Sequence, residues 1–202
     1  MSSRTRRESI AGPAGPIDCA IDDPTDAPRG VAVVCHPHPL YGGTLDNKVV
    51  QTLSRAFVQL GLRAVRFNFR GVGDSAGAWD EGRGEVEDAL AVIAAWRLAD
   101  RPLVLAGFSF GGYVAAEAAH RLGSDGPSRL VLVAPSTEKH RLPAVPPDTV
   151  VVHGDADDVV PLAATLDWAR PQSLPVTVVP GGGHFFHGRL TLLKDIVLRC
   201  WR

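Results

Sequence analysis

At 202 residues the chain is long enough for one domain with a substantial core. Apolar residues make up 45% and charged residues 21%, a balance typical of soluble globular chains. The formal net charge of −1 gives no electrostatic support for a nucleic-acid partner or an acidic membrane surface. Cys19, Cys35 and Cys200 are an odd, widely spaced set without C-x-x-C. They are expected as small buried hydrophobes in a reducing compartment, not as a disulfide framework.

Arg4, Arg6 and Arg7 open the chain, but Ala11-Gly12-Pro13-Ala14-Gly15-Pro16 cannot form a signal helix. No apolar run is long enough to span a bilayer, so a cytoplasmic location and no membrane partner are expected. Residues 1–9 are expected as a flexible segment, and 10–202 as a single domain. Ile17-Asp18-Cys19-Ala20-Ile21 suits an early antiparallel strand. Residues 30–35 form a continuous apolar run, as in a strand buried on both faces. Thr44 is a candidate cap for a helix through Leu60, with Val49, Val50, Leu53, Phe57 and Leu60 on one face and Gly61 as its stop. A strand over 62–69 follows, then a helix from about 85 to 99 carrying Val86, Leu90, Ile93 and Trp96.

The next segment is the most informative. Leu103-Val104-Leu105-Ala106 predicts a buried strand, Gly107-Phe108-Ser109-Phe110-Gly111 spells G-x-S-x-G, and 113–122 predicts a helix. Strand, sharp turn and helix together form the setting of a nucleophile elbow. Its glycines let the turn close, and the Phe110 N–H is left to face a developing oxyanion. Gly73-Asp74-Ser75-Ala76-Gly77 matches the same pattern. The glycine- and acid-rich run after it starts no helix, so Ser75 is assigned to a loop and Ser109 is the candidate nucleophile. Strands over 130–133, 150–152 and 176–179 and a last helix over about 188–200 complete the set. Alternating strands and helices predict an α/β fold, a mostly parallel twisted sheet with helices on both faces. Functional residues then belong at the carboxyl ends of strands.

A serine nucleophile needs a histidine base, and the histidine needs a carboxylate to orient it. In chain order Ser, acid, His, the candidates after Ser109 lie just past two strands. Asp155, Asp157 and Asp158 compete for the acid, and spacing alone does not choose among them. Two of the three are expected to satisfy loop N–H groups. His184 is preferred to His187 as base, because Gly181-Gly182-Gly183 lets its loop approach closely, whereas His187 is expected in the first turn of the last helix. A second oxyanion donor is expected from His36-Pro37-His38-Pro39-Leu40-Tyr41-Gly42-Gly43. The prolines lack N–H, leaving His38, Leu40 and Tyr41. His36 and His38 lack the third and fourth ligands that zinc requires, so no metal and no cofactor is expected. Arg66, Asn68 and Arg70 are expected to be a hydrogen-bonded scaffold rather than substrate ligands.

The 36–50 segment, Arg66-Phe67-Asn68-Phe69-Arg70-Gly71-Val72-Gly73 and Gly107-Phe108-Ser109-Phe110-Gly111-Gly112 together resemble the α/β-hydrolase superfamily. More narrowly, the chain is similar to a group of small bacterial serine hydrolases, from about residue 10 to the end. The H-G-x-x-D-x-x-V-P pattern of dienelactone-hydrolase-like and acyl-thioesterase-like members places the triad acid on its fifth residue, implying Asp157 here. The same resemblance implies the His38 N–H as the second oxyanion donor beside Phe110. Larger relatives carry a helical lid before the triad acid. Only residues 134–149 are available here, and Pro135, Pro143, Pro146 and Pro147 crowd them, so no lid domain and an open site are expected.

The expectation is therefore a serine hydrolase acting on a small-molecule acyl ester or thioester, with catalytic Ser109, Asp157 and His184. The alternatives are an acyltransferase or amidase using the same triad, or a non-catalytic scaffold on the same fold. A monomer or homodimer fits equally, because the apolar last helix and Trp201 can pack inward or against a second subunit.

Overall fold

The computed structural model describes residues 5–201. A single eight-stranded sheet forms the frame: β1 (Arg6–Gly12), β2 (Gly15–Asp22), β3 (Val31–Cys35), β4 (Arg63–Phe67), β5 (Leu103–Phe108), β6 (Arg129–Val133), β7 (Val150–Gly154) and β8 (Val176–Val179). Their spatial order is 1-2-4-3-5-6-7-8. β1 and β2 run antiparallel to their neighbours, and the strands from β4 through β8 pair in parallel.

Side-chain alternation along the central strands explains why both faces are covered. Val31, Val33 and Cys35 face one hydrophobic cluster with Leu103 and Leu105; Ala32 and Val34 face another with Val104 and Ala106. The first cluster is closed by α2 (Arg83–Trp96), α3 (Phe110–Leu122) and Ala169 of α4 (Leu162–Ala169). The second is closed by α1 (Lys48–Gln59) and α5 (Leu190–Arg199). Trp201 packs inward, its ring 5.8 Å from that of Phe57.

Two expectations need correction. Residues 6–9 are not a flexible segment but part of β1, paired from Arg6↔Ile21 to Gly12↔Gly15; residues 1–4 lie outside the described ones. This strand has no alternating apolar face, because backbone pairing to β2 holds it at the sheet edge, and charged residues suit an edge. Second, α1 does not start at Thr44. Asn47 is its cap, its side chain accepting from the Val49 and Val50 N–H groups at 2.9 and 3.4 Å. Leu45 is drawn into the core, its N–H donating to Asn68 at 2.9 Å, so the helix cannot begin sooner. One further element, α4, had no counterpart in the sequence analysis, because it buries only Thr165 and Ala169 and so has no apolar stripe. The remaining elements differ from expectation by a few residues at their ends.

Candidate active site

Ser109 joins β5 to α3 at φ 56° and ψ −119°, a conformation uncommon for a residue with a Cβ. The flanking glycines are required by close approach. A Cβ at 107 would sit 2.0 Å from the Gly111 carbonyl oxygen, and one at 111 would sit 2.3 Å from that of Cys35. The strained turn is fixed by the Ser109 N–H donating to Val133 at 3.0 Å and by its carbonyl accepting from Gly112 at 2.9 Å and Ser136 at 3.1 Å. Among the described residues no acceptor takes the Phe110 N–H.

The β7 and β8 loops bring the two other residues to the serine. His184 Nε2 lies 3.1 Å from Ser109 Oγ, and His184 Nδ1 lies 2.8 Å from Asp157 Oδ2. The loops are laced together by the Ala156 N–H donating to Gly182 at 3.0 Å. Their approach depends on Gly154, where a Cβ would lie 2.0 Å from the Gly182 oxygen. Asp157 is buried at its carboxylate. Burial alone would raise its pKa, but hydrogen bonds from His153, His184 and the Val160 N–H hold it well below the usual carboxylate range. Asp155 serves the loop, accepting from the Gly181 N–H at 2.6 Å, and Asp158 is exposed. His187 is exposed too, in the turn before α5.

The loop after β3 sorts its own donors. The Leu40 N–H donates to His38 Nδ1 at 3.2 Å and the Tyr41 N–H to the His38 carbonyl at 3.1 Å. Among the described residues the His38 N–H has no acceptor. His36 clamps this loop. Its Nε2 accepts from the Phe69 N–H at 3.1 Å, which assigns the proton to Nδ1, 2.6 Å from the Pro37 oxygen. Burial pushes its pKa down to about 4. With both ring nitrogens engaged, His36 has no lone pair left for a metal.

The polar residues of the β4 end form a scaffold. Arg66 reaches Asp22 at 3.1 Å and the Leu45 carbonyl at 2.8 Å; Asn68 ties Leu45 to Asp18; Arg70 grips Asp88 with two side-chain nitrogens, at 3.0 and 2.8 Å. Ser75 is buried in this scaffold, donating to the Asn68 carbonyl at 2.7 Å. Cys19 and Cys35 are buried free thiols, and Cys200 is half-buried and free.

Residues 134–149 contain no helix, so nothing helical covers Ser109 from that side. The rim is aromatic. Phe110 sits among the rings of His38, Trp79 and His140, with centroids 5.1, 5.1 and 5.3 Å away. Tyr41 (78% exposed) and Phe185 (44%) face solvent. Burial lowers the pKa of both His38 and His140, so the two imidazoles favour the neutral form.

Sheet order, elbow and loop placement define the α/β-hydrolase class. Residues 26–151 match the serine aminopeptidase S33 family, and the chain belongs to it. A structure described as an α/β serine hydrolase without lid, from Xanthomonas campestris, aligns with TM-score 0.89 and 38% identity over 99% of this chain and 94% of its own. An α/β serine hydrolase homologue from Coxiella burnetii aligns with TM-score 0.85 and 39% identity, over 98% and 97% respectively. An uncharacterized Rickettsia prowazekii protein is 33% identical over 192 residues, covering 87% of this chain and 79% of that protein. By family and fold the chain is a serine hydrolase of the α/β class. No helix of the described residues is long and apolar enough to cross a membrane.

Proposed function

We propose that the chain hydrolyses small carboxylic esters or thioesters through an acyl-enzyme. The observation that carries this reading is the continuous line from Ser109 Oγ to His184 Nε2 at 3.1 Å and from His184 Nδ1 to Asp157 Oδ2 at 2.8 Å. Ser109 Oγ attacks the carbonyl carbon while its proton passes to His184 Nε2. The negative oxygen that forms faces the unpaired N–H groups of His38 and Phe110. His184 then gives the proton to the departing oxygen or sulfur, leaving Ser109 acylated. Water attacks the acyl-enzyme, yields a proton to His184 and releases the acid, and the proton returns to Ser109.

Amide hydrolysis by the same residues is the second reading, favoured by the family's description as serine aminopeptidases. An aminopeptidase holds the α-ammonium group of its substrate, which a carboxylate does best. Rim Tyr113 has the carboxylates of Glu117 and Glu85 near enough to act on its hydroxyl, so the panel in the test below includes aminoacyl substrates.

The test is intact mass after treatment with a fluorophosphonate, followed by peptide mapping. One adduct on Ser109, absent in Ser109→Ala, is expected. Turnover of an ester and thioester panel should exceed that of aminoacyl anilides, and Ser109→Ala should lose several powers of ten in rate. An unlabelled folded protein, or an adduct on Ser75, defeats this reading.

A further inference from the structure

His153 is a buried titratable residue that the proposed reaction does not use. It is the fourth residue of β7, after Val150, Val151 and Val152. The apolar choice at those three positions is what a strand covered on both faces calls for. His153 departs from it at 0% exposure. Its Nε2 lies 2.9 Å from the Val160 carbonyl oxygen and 3.3 Å from Asp157 Oδ2. Both partners only accept, so the neutral ring carries its proton on Nε2. Nδ1 is then a bare acceptor, and it has no hydrogen-bond partner. An unpaired buried acceptor opposes folding. An apolar side chain of similar size would remove that penalty but would leave the Val160 carbonyl without its donor.

What the imidazole does is apparent from Val160. Its carbonyl receives the His153 N–H, while its own N–H donates to Asp157 Oδ1 at 2.8 Å; the Val159 N–H adds a second bond to the same oxygen at 2.9 Å. Pro161, the next residue, caps α4. His153 thus ties strand, turn and helix start together around one carboxylate. The titratable groups facing Asp157 are His153 from β7 and His184 from the β8 loop, and both approach Oδ2.

We propose that His153 is a positioning residue for the hydrolytic site: through Val160 it fixes the turn that presents Asp157, and through Nε2–H it withdraws negative charge from the oxygen that faces His184. This rests on the reading of Ser109, His184 and Asp157 as the reacting set. Without His153, Asp157 is less firmly placed, which lowers kcat. Among the described residues, its Oδ2 also loses the one other side-chain donor that approaches it beside His184.

Three proteins decide this: wild type, His153→Leu and His153→Gln. Glutamine keeps an N–H donor close to the place of Nε2. In His153→Leu, kcat should fall roughly tenfold with little change in KM. His153→Gln should restore kcat. A folded His153→Leu with wild-type kcat overturns the proposal, as does a loss that falls on KM instead, or a leucine effect that glutamine does not reverse. Should His153→Leu fail to fold, imidazole nitrogen NMR of the wild-type protein decides. Neutral His153 must show the proton on Nε2, and the opposite tautomer overturns the proposal. Fluorophosphonate labelling of wild-type Ser109 is run alongside. Its absence defeats the hydrolase reading and this role with it, whereas intact labelling with an unchanged kcat in His153→Leu defeats the positioning role alone.

Discussion

Among single residues, the aspartates of the 155–158 loop separate by what each one touches. Asp157 takes hydrogen bonds from His184 and from the Val159 and Val160 N–H groups, while Asp155 takes the Gly181 N–H. Asp157→Asn should therefore lower kcat by roughly three to four powers of ten, since an amide cannot orient and charge-stabilise the imidazole as a carboxylate does. Asp155→Asn should leave kcat within a few-fold, and steady-state assays on one ester separate the two. His36 makes a second prediction, about stability. Its pKa is about 4 when folded, against 6.5 ordinarily. Between these values the unfolded chain binds the proton and the folded chain does not. The stability contribution is complete above pH 6.5 and is lost as pH falls towards 4, by about 3 kcal/mol in all. Urea titrations from pH 4 to 7 should show this slope in the wild-type protein and a shallower one in His36→Gln.

At the level of elements, the site exists because loops approach one another at glycines. Gly154→Ala would put a Cβ 2.0 Å from the Gly182 oxygen and push the β7 and β8 loops apart. Overpacking of this kind destabilises by about 1–3 kcal/mol. The Asp157–His184 contact depends on that approach, so kcat should fall as well. Thermal melting and ester turnover check the pair; a normal melting temperature with normal turnover would mean that the loops adapt freely. The elements were legible in the sequence wherever burial imposed a pattern. β3 and β5 are continuous apolar runs because helices cover both their faces. β1 and α4 were not legible, because one is held by backbone pairing and the other buries only two side chains.

For the molecule as a whole, the consequence lies in what covers Ser109. The 134–149 stretch has no helix, and Ser136 reaches the Ser109 carbonyl directly. With no helix there to move aside, hydrolysis of a short-chain triglyceride should rise smoothly with concentration. A jump in rate at the solubility limit, followed in a pH-stat, would show that a closing segment exists after all.

Local patterns in the chain were enough to pick out the elbow, its nucleophile candidate and the order of the strands along the chain. These rest on local rules: a buried strand must be apolar, a tight turn needs glycine, and a helix N-terminus must follow the serine. They also separated Ser75 from Ser109, since only one of the two serines precedes a helix. Family resemblance implied Asp157 and the His38 N–H; the physical grounds come from the tertiary contacts, which part Asp157 from its neighbours, leave the His38 N–H unpaired while engaging those of Leu40 and Tyr41, and bring His153 onto the carboxylate. Each of these depends on which groups meet across the sheet's carboxyl edge. Such meetings join residues as far apart as Ser109 and His184, whose separation in sequence carries no local signal of contact.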